Sequence, residues 1–254
     1  MTKSVAVVTG SSSGIGAACA RRFAQSGWNV VVNYSRDEKA ASAVADQCRA
    51  FGADVLVIKA DVASDADCRR VADQVTARWS RADVLVNNAG RTKFVEFRNL
   101  DGLSAEDFAA IYSVNVVGPF QMARALLPLL EKQPGAGIVN VSSIAATLGL
   151  GSSIAYAASK GALNTMTMAL ARALGPNVRV NAVAPGMVDG EWLRNGLGAE
   201  RFEAVRKGYE ARAALESIVS PEDVAETIFW LGAGARKTTG EVVHVDGGMK
   251  VGKA

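Results

Sequence analysis

Short apolar segments alternate with longer amphipathic segments along the chain, and this alternation predicts the fold. Seven segments rich in β-branched residues are apolar at almost every position, which is typical of strands covered on both faces of a parallel sheet. These predicted strands lie at residues 4–9, 29–34, 54–59, 84–87, 137–142, 177–183 and 241–245. The Ala-rich segments between them repeat their apolar residues with a helical period. The predicted helices lie at 14–26, 37–51, 64–80, 104–131, 155–174 and 221–231. We therefore predict an α/β protein with a doubly wound parallel sheet of about seven strands and helices on both faces.

Two segments depart from this alternation. Gly118-Pro119 lies inside the long fourth helix, which is therefore predicted either as one helix or as two. Residues 187–215 separate the sixth strand from the last helix and contain no predicted strand. Ligands bind beyond the carboxyl ends of strands in open α/β sheets, so we expect this segment to be a substrate-binding lid. The alternative is a surface excursion without a role.

Composition narrows the class of protein. The 254 residues include 28 basic and 25 acidic side chains, a net charge of +3, and no block of Lys or Arg that would indicate a nucleic-acid partner. No apolar run approaches the ~20 residues of a membrane span, and the first strand follows too closely on the first residue for a signal peptide. A cytoplasmic protein is expected. Cys19, Cys48 and Cys68 are too widely spaced to indicate disulfides or zinc, and no metal site is predicted.

A glycine-rich loop follows the first predicted strand. Gly10 permits a tight turn, Gly14 removes a Cβ where a phosphate must approach, and Gly16 lets the next helix pack closely on the sheet. The helix N-terminus then offers free N–H groups to a pyrophosphate. The spacing is G-x-x-x-G-x-G, a variant of the commoner dinucleotide motif G-x-G-x-x-G. The residues expected to bind the pyrophosphate are Gly10, Ser12, Ser13, Gly14, Ile15 and Gly16.

The end of the second strand indicates which dinucleotide binds. An acidic residue at this position accepts from the ribose 2′-OH in NAD sites, and here Tyr34 stands in its place. Arg36 offers a guanidinium suited to a 2′-phosphate, and Asn33 and Ser35 are candidate neutral donors. NADP(H) is therefore predicted in preference to NAD(H). The alternative is that Arg36 is a solvated loop residue paired with an adjacent carboxylate.

Two further strand ends complete the predicted cofactor site. Asp61 and Val62 follow the third strand, where an adenine edge would lie. Asn88, Ala89 and Gly90 follow the fourth strand, and Asn and Gly tolerate unusual backbone angles beside a ligand.

Candidate catalytic residues lie on and near the helix predicted at 155–174. Tyr156 and Lys160 are four positions apart and therefore share one helix face, where the ammonium is predicted to lower the pKa of the phenol. This pair alone is weak evidence, because many helices carry it by chance. Ser143, at the end of the fifth strand, is placed to reach the same carbonyl oxygen as Tyr156. Asn115 lies in an apolar helical stretch, either as a cap or kink residue or to hold a water that relays protons to Lys160.

Taken together, these motifs resemble those of the short-chain dehydrogenase/reductase family along the whole chain, and most closely those of the 3-oxoacyl-[acyl-carrier-protein] reductase type. The matching segments are T-G-x-x-x-G-x-G at 9–16, N-N-A-G at 87–90, Y-x-x-x-K at 156–160, Pro185-Gly186 after the sixth strand and D-G-G at 246–248. The resemblance implies a single-domain Rossmann fold over residues 1–254. It also implies that Pro185, Gly186 and Val188 contact the cofactor.

The resemblance further implies a mechanism and an assembly. NADPH would deliver hydride to a ketone while Tyr156 protonates its oxygen, and Ser143 would steady that oxygen. Lys160 would lower the pKa of Tyr156 and bond the nicotinamide ribose, and Asn115 would complete the proton path. The reverse reaction would oxidise a secondary alcohol. The family implies a homotetramer, with the helix at 155–174 and the last strand in its contacts.

The chain departs from the family pattern at the proposed lid. Gly190 stands where the family usually has a Thr that bonds the nicotinamide carboxamide, and Asp189 is a candidate substitute. Docking of an acyl carrier protein needs basic residues at the mouth of the site. The candidates are Arg194, Arg201, Arg206 and Lys207, which are equally compatible with a solvated helix face.

The sequence leaves the substrate open. The expected substrate is a small ketone or secondary alcohol; a 3-oxoacyl carrier substrate and an NAD-dependent alcohol or polyol dehydrogenase are the alternatives. A non-catalytic NADP-binding regulatory protein is the competing class.

Aromatic and aliphatic residues indicate either a partly apolar pocket or packing of the lid on the body: Phe94, Phe97, Trp192, Leu193, Phe202 and Tyr209. Arg91 and Lys93 either attract an anionic substrate or face water. His244, the single histidine, is expected in a strand near a subunit contact.

Overall fold

The computed structural model describes residues 3–253 and contains one parallel sheet of seven strands in the order β3-β2-β1-β4-β5-β6-β7. The strands are β1 Val5–Val8, β2 Asn29–Tyr34, β3 Val55–Lys59, β4 Val84–Asn87, β5 Ala136–Val141, β6 Val178–Pro185 and β7 Val242–Val245. The chain winds outward from β1 to one sheet edge, returns to β4 and winds to the other edge. The predicted α/β class and doubly wound sheet are confirmed.

Helices cover both faces of the sheet. They are α1 Gly14–Gln25, α2 Glu38–Ala50, α3 Asp65–Trp79, α4 Ala105–Tyr112, α5 Gly118–Leu130, α6 Ala145–Leu148, α7 Ile154–Leu174, α8 Glu191–Leu197, α9 Ala199–Glu210 and α10 Pro221–Phe229. A 3-10 turn lies at Leu100–Gly102, and π-helical turns lie at Ser113–Val117 and Trp230–Gly234. Five helices begin at a residue whose side chain accepts a hydrogen bond from a backbone N–H of the first turn: Asp37, Ser64, Ser104, Ser153 and Ser220.

The burial of both sheet faces explains the nearly continuous apolar strands. In β1, Ala6 and Val8 point into the core beneath α1, α2 and α10, whereas Val7 points into the core beneath α3, α5 and α7. Phe23 anchors the first core, where its ring packs edge-on against Trp28 and Phe229 at centroid distances of 5.1 and 5.2 Å. Full burial of such a side chain contributes about 1.5–3 kcal/mol.

The long fourth helix is neither one regular helix nor two separated helices. A π-helical turn at Ser113–Val117 joins α4 directly to α5. Pro119 lies in the first turn of α5. Gly118 lets α5 approach the end of β3, because a Cβ there would lie 2.8 Å from Cγ2 of Val62. The Gly-Pro pair therefore marks a change of helical geometry rather than a break.

Residues 187–215, which we call the 187–215 segment, contain the two helices α8 and α9. The one extended contact in the segment is a parallel bridge between Val188 and Val219. Phe202 and Tyr209 are buried in a small apolar cluster with Met187, and the Tyr209 hydroxyl donates to the carbonyl of Asp246 at 2.6 Å. The segment is thus packed on the body of the protein at its second helix.

Candidate active site

The glycine-rich loop turns sharply between β1 and α1. Gly10 and Gly14 have φ angles of +60° and +52°, which L side chains rarely adopt. A Cβ at Gly10 would lie 2.9 Å from Cα of Ala89, whereas a Cβ at Gly14 would meet no atom within 4 Å. The loop is therefore packed against the body at Gly10 and open at Gly14, where a phosphate needs space.

The N-terminus of α1 presents backbone donors at the same place. Ser13 precedes the helix and makes no side-chain cap bond, and the first turn contains no acidic residue. Its first N–H groups and the positive end of the helix dipole are thus available to an anion. Gly16 lets the helix sit close to the loop, because a Cβ there would lie 2.4 Å from the carbonyl oxygen of Gly10. These features fit a dinucleotide pyrophosphate.

The Asn33 side chain holds this loop in place and is not directed towards a 2′-phosphate beyond the end of β2. Its Oδ1 accepts from the Gly10 N–H at 3.0 Å, and its Nδ2 donates to the carbonyls of Ile58 and Ala60 at 3.2 and 3.0 Å. The side chain is buried, so its amide hydrogens are not offered to a 2′-phosphate. Ser11, which the sequence analysis missed, also links loop and strand: its hydroxyl donates to the Val8 carbonyl and accepts from the Asn33 N–H.

Arg36 lies exposed just beyond β2. It has no ion pair or hydrogen bond within residues 3–253, so the pairing with an adjacent carboxylate is not seen. Asp37 instead accepts from the Ala40 N–H at the start of α2. Ser35 is exposed beside Arg36, and Tyr34 is buried. The guanidinium is therefore free to meet a phosphate.

Residues after β3 and β4 border the same loop. Asn88 Nδ2 donates to the carbonyls of Thr9 and Gly10 at 2.9 Å each, and the Thr9 hydroxyl accepts from the N–H groups of Asn88 and Ala89. The Asn88 side chain is thus a positioning group for the loop. Asp61 is exposed after β3, whereas Val62 is buried. Gly90 is exposed.

Ser143 lies close enough to Tyr156 for its hydroxyl to influence the pKa of the phenol. Ser143 follows β5 and accepts from the Ala145 N–H at 3.1 Å. Tyr156 lies in the first turn of α7, where Ser153 caps the helix by accepting from the Tyr156 N–H. Burial raises the pKa of the Tyr156 phenol to about 12, although the nearby Ser143 hydroxyl acts in the opposite direction. Two hydroxyl groups are therefore placed to reach one oxygen atom.

Lys160 lies one turn further along α7, but it does not lower the pKa of Tyr156 in this structure. Its ammonium donates to the Val141 carbonyl at 2.7 Å and lies 5.6 Å from the centroid of the Tyr156 ring. Burial lowers the pKa of Lys160 itself to about 8. The pKa of the phenol is raised rather than lowered as predicted, because desolvation by burial is the largest influence on it.

Asn115 lies in the π-helical turn and is fully buried. Its Oδ1 accepts from the Arg91 N–H at 2.8 Å, and its Nδ2 donates to the Arg91 carbonyl at 2.9 Å and to Ser159 Oγ at 3.0 Å. Ser159 in turn donates to the Tyr156 carbonyl at 2.7 Å. Both amide hydrogens of Asn115 are thus used to join the loop after β4 to α7. Ser159 was missed; its position three residues after Tyr156 on an apolar helix was the available signal.

The turn after β6 is tightly packed. No side chain would fit at position 186, because a Cβ at Gly186 would lie 2.0 Å from the Tyr209 hydroxyl oxygen. Pro185 ends β6, and Val188 forms the bridge to Val219. Gly190 differs, since a Cβ there would meet no atom within 4 Å. Space for the family's usual Thr is therefore present.

The basic residues of the 187–215 segment are mostly neutralised. Asp189 bonds to Arg194 at 2.9 Å, so neither is free for a ligand. The other pairs are Arg194–Glu203, Arg201–Glu96, Arg206–Glu203 and Arg206–Glu210. Lys207 has no ion pair in the part of the chain that the structure describes.

The remaining candidates from the sequence do not form a second site. Across residues 3–253, no group of three His, Cys, Asp or Glu side chains is arranged to hold a metal ion, and no helix is long and apolar enough to cross a membrane. His244 lies in β7, and its Nε2 is buried without a hydrogen-bond partner. The three cysteines are buried free thiols.

The order of these motifs on the sheet matches a known family. Residues 10–250 match the family model described as enoyl-(acyl carrier protein) reductase. A protein named as a ketoacyl reductase of the granaticin polyketide synthase of Streptomyces violaceoruber is 42% identical over 96% of this chain and 95% of its own length. The chain belongs to the short-chain dehydrogenase/reductase family.

Further relatives within the family agree with this assignment. The 3-oxoacyl-[acyl-carrier-protein] reductase of Synechocystis is 35% identical, covering 98% of both chains. A solved structure described as a short-chain dehydrogenase/reductase from Burkholderia xenovorans is 43% identical, with a TM-score of 0.91 over 99% of this chain and 100% of that one. A blue fluorescent protein from a metagenomic library, solved with NADPH, is 33% identical with a TM-score of 0.85, covering 97% of both chains.

Proposed function

We propose that this oxidoreductase uses NADP(H) to interconvert a ketone and a secondary alcohol, with Tyr156 as the general acid and base. The observation that carries the proposal is the proximity of Ser143 to the buried Tyr156 phenol, with the Lys160 ammonium 5.6 Å from the Tyr156 ring on the next turn of α7. When bound, the nicotinamide supplies the hydride that the carbonyl carbon gains. The carbonyl oxygen gains its proton from Tyr156, so that the ketone gains one hydride and one proton in total and becomes an alcohol.

Each residue of the site has a distinct part in this reaction. Ser143 donates a hydrogen bond to the carbonyl oxygen as negative charge develops there. Tyr156 retains its proton at neutral pH, since burial raises its pKa to about 12, and it is therefore ready to donate in the reductive direction. Lys160, with a pKa lowered to about 8, still carries a charge at neutral pH, and it would bond the nicotinamide ribose when the cofactor is bound. Asn115 is a positioning residue that acts through Ser159.

The proposed cofactor preference rests on Arg36. Its exposed guanidinium lies beyond β2 and has no carboxylate partner within residues 3–253. Tyr34 stands where NAD sites have an acidic residue that accepts from the ribose 2′-OH. Ser12, Ser13 and Ser35 are additional donors near the helix N-terminus and the strand end. The relative solved with NADPH supports this preference. We expect NADP(H) to be bound in preference to NAD(H).

A small ketone is favoured as the substrate over a 3-oxoacyl group attached to an acyl carrier protein. The relatives named as ketoacyl and 3-oxoacyl reductases support reduction of a carbonyl. Docking of an acidic carrier protein would require free basic residues, and three of the four candidates on the 187–215 segment are already paired with acids. A non-catalytic regulatory protein would not need the Ser143–Tyr156 pair.

The remaining expectations are part of the same proposal. We propose that the 187–215 segment is a lid, that the protein works in the cytoplasm, and that four copies assemble. The assembly is supported by half-exposed residues along β7 and by Met168 on α7, whose apolar side chain is 47% exposed.

The substitution Tyr156→Phe tests the proposed chemistry. It removes the proton donor and keeps the ring, so ketone reduction with NADPH should fall by at least about a thousandfold. Binding of NADPH, followed by fluorescence titration, should change by less than about threefold, because the phenol is not a phosphate contact. Retention of the wild-type rate by the variant would contradict the mechanism.

A further inference from the structure

Three aromatic rings run from the proposed catalytic phenol towards the surface. The Tyr156 and Trp192 ring centroids lie 6.0 Å apart, and the Trp192 and Phe94 centroids also lie 6.0 Å apart. The rings are tilted by 51° and 59°. These distances fall within the range of direct aromatic contact. The rings come from α7, from α8 and from the loop after β4, so tertiary packing brings them together.

Phe94 is held against α8 by the lack of a side chain at Gly196. A Cβ built at Gly196 would lie 2.0 Å from a ring carbon of Phe94. The Phe94 ring therefore packs directly on the backbone of the helix that carries Trp192. This contact fixes the position of α8 relative to the loop after β4, and with it the position of the indole.

Trp192 keeps half of its surface exposed although it contacts two other rings. Phe202 and Tyr209, the other aromatic side chains of the 187–215 segment, are buried in its packing on the body. Burial of the exposed half of the indole would be favourable, because apolar surface removed from water stabilises a complex. The indole therefore offers apolar, planar surface beside the Tyr156 phenol.

Three basic side chains near the rings are paired with carboxylates, whereas Arg91 and Glu191, which carry opposite charges, have no ion pair within residues 3–253. None of the three paired side chains directs a free charge at the indole. The pairs are Lys93–Asp107, Arg194–Asp189 and Arg201–Glu96. A neutral group on the substrate is therefore a better match for the exposed indole surface than a charged or strongly hydrated group.

We propose that Trp192 selects ketones with an aryl group next to the carbonyl, and the matching aryl alcohols, by contact between its indole and the aryl ring. The inference rests on the proposed function and adds its substrate class. An aromatic pair gains attraction beyond the area it buries, which corresponds to a preference of up to about tenfold over a saturated ring of similar size. Trp192 is therefore the specificity-determining residue of the site.

Two ketones that differ only in aromaticity test the inference. Acetophenone and cyclohexyl methyl ketone have the same carbon skeleton, and the readout is the ratio of their kcat/KM values with NADPH. We expect Trp192→Leu to lower the ratio by about tenfold, mainly through the KM for acetophenone. Trp192→Phe should restore most of the ratio, because it returns an aromatic ring.

Trp230→Leu is the matched control, since Trp230 is also 50% exposed and lies in the turn after α10. It should leave the ratio unchanged. A ratio in Trp192→Leu that stays within about twofold of the wild-type ratio overturns the inference, even where both ketones are reduced and the proposed function holds.

A binding measurement distinguishes failure of the inference about Trp192 from failure of the proposed function. Turnover of neither ketone contradicts the proposed function, and the inference is then decided by quenching of tryptophan fluorescence. Acetophenone should quench the wild type at lower concentration than cyclohexyl methyl ketone does in parallel titrations corrected with free tryptophan. That difference should disappear in Trp192→Leu and persist in Trp230→Leu. An equal difference in both variants overturns the inference.

Discussion

The loop after β1 and the 187–215 segment are held in place by different kinds of contact. Partly buried hydrogen bonds fix the backbone of the loop: the side chains of Asn33 and Thr9 accept from backbone N–H groups, and the Asn88 side chain donates to the Gly10 carbonyl. In the 187–215 segment, α9 is anchored by the buried Phe202 and Tyr209, whereas α8 has no buried residue and Arg194 of α8 pairs with Asp189 at the surface. Buried hydrogen bonds are costly to break, whereas exposed ion pairs contribute little. The proposed cofactor region is thus rigid, and the proposed substrate region is easier to alter.

Replacement of Asn33 should produce the largest change in stability. Asn33→Leu leaves the Gly10 N–H and the carbonyls of Ile58 and Ala60 without their partner. The free energy of unfolding in urea should fall by about 3 kcal/mol or more. Ser35→Ala, at an exposed neighbour, should change it by less than about 0.5 kcal/mol. Equal stability of the two variants would show that the loop is not held by buried hydrogen bonds.

The burial of Lys160 makes the stability of the protein depend on pH. The pKa of Lys160 falls from 10.5 to about 8 on folding, so the unfolded chain binds more protons between these values. Burial of the charged ammonium therefore lowers the free energy of unfolding as the pH falls from about 10.5 to about 8, and this penalty is complete below pH 8. Lys160→Met removes this penalty.

The variant Lys160→Met should consequently be more stable than wild type at pH 7, by on the order of 3 kcal/mol less the lost bond to the Val141 carbonyl. It should also be inactive. The check is a series of urea denaturations from pH 7 to 10, in which the stability difference shrinks as the pH rises. A difference that does not depend on pH would contradict the burial of a charged ammonium.

Arg36→Ala should change affinity rather than stability. Loss of a charge-assisted contact to a phosphate weakens NADPH binding by about tenfold to a hundredfold. NADH lacks the 2′-phosphate and serves as the internal control, so its affinity should be unchanged. Fluorescence titrations with both cofactors measure the two constants in the same variant. An equal loss for NADH would assign Arg36 to a role other than cofactor selection.

The smallest effect is expected in the 187–215 segment. Asp189 and Arg194 pair at 2.9 Å, with side chains 47% and 40% exposed. Asp189→Asn should lower the free energy of unfolding by less than about 1 kcal/mol, a Tm shift of no more than about 3 °C. Calorimetry in low and high salt measures it, since screening should shrink the effect. A loss as large as that of Asn33→Leu would remove the contrast between the regions.

The sequence by itself determined the class of the fold and the places where the ligand sites form. Apolar runs such as that of β1 predicted strands within about two residues of their ends, because a strand buried on both faces must be apolar at nearly every position. The motifs at 9–16, 87–90 and 156–160 were readable because local backbone geometry and helical spacing constrain them. Residues close in sequence, such as Tyr156 and Lys160, could be assigned to one face.

Only the tertiary structure decided what each polar side chain does. Asn33 and Asn115 were selected as site residues, yet their amides are used within the protein, by partners 23 to 44 residues away. The direction of the Tyr156 pKa depended on burial, which sequence spacing does not report. The contact of Trp192 with Tyr156 depends on α8 meeting α7. Hydrogen bonding, desolvation and ring contact are properties of neighbours in space, and the fold alone sets those neighbours.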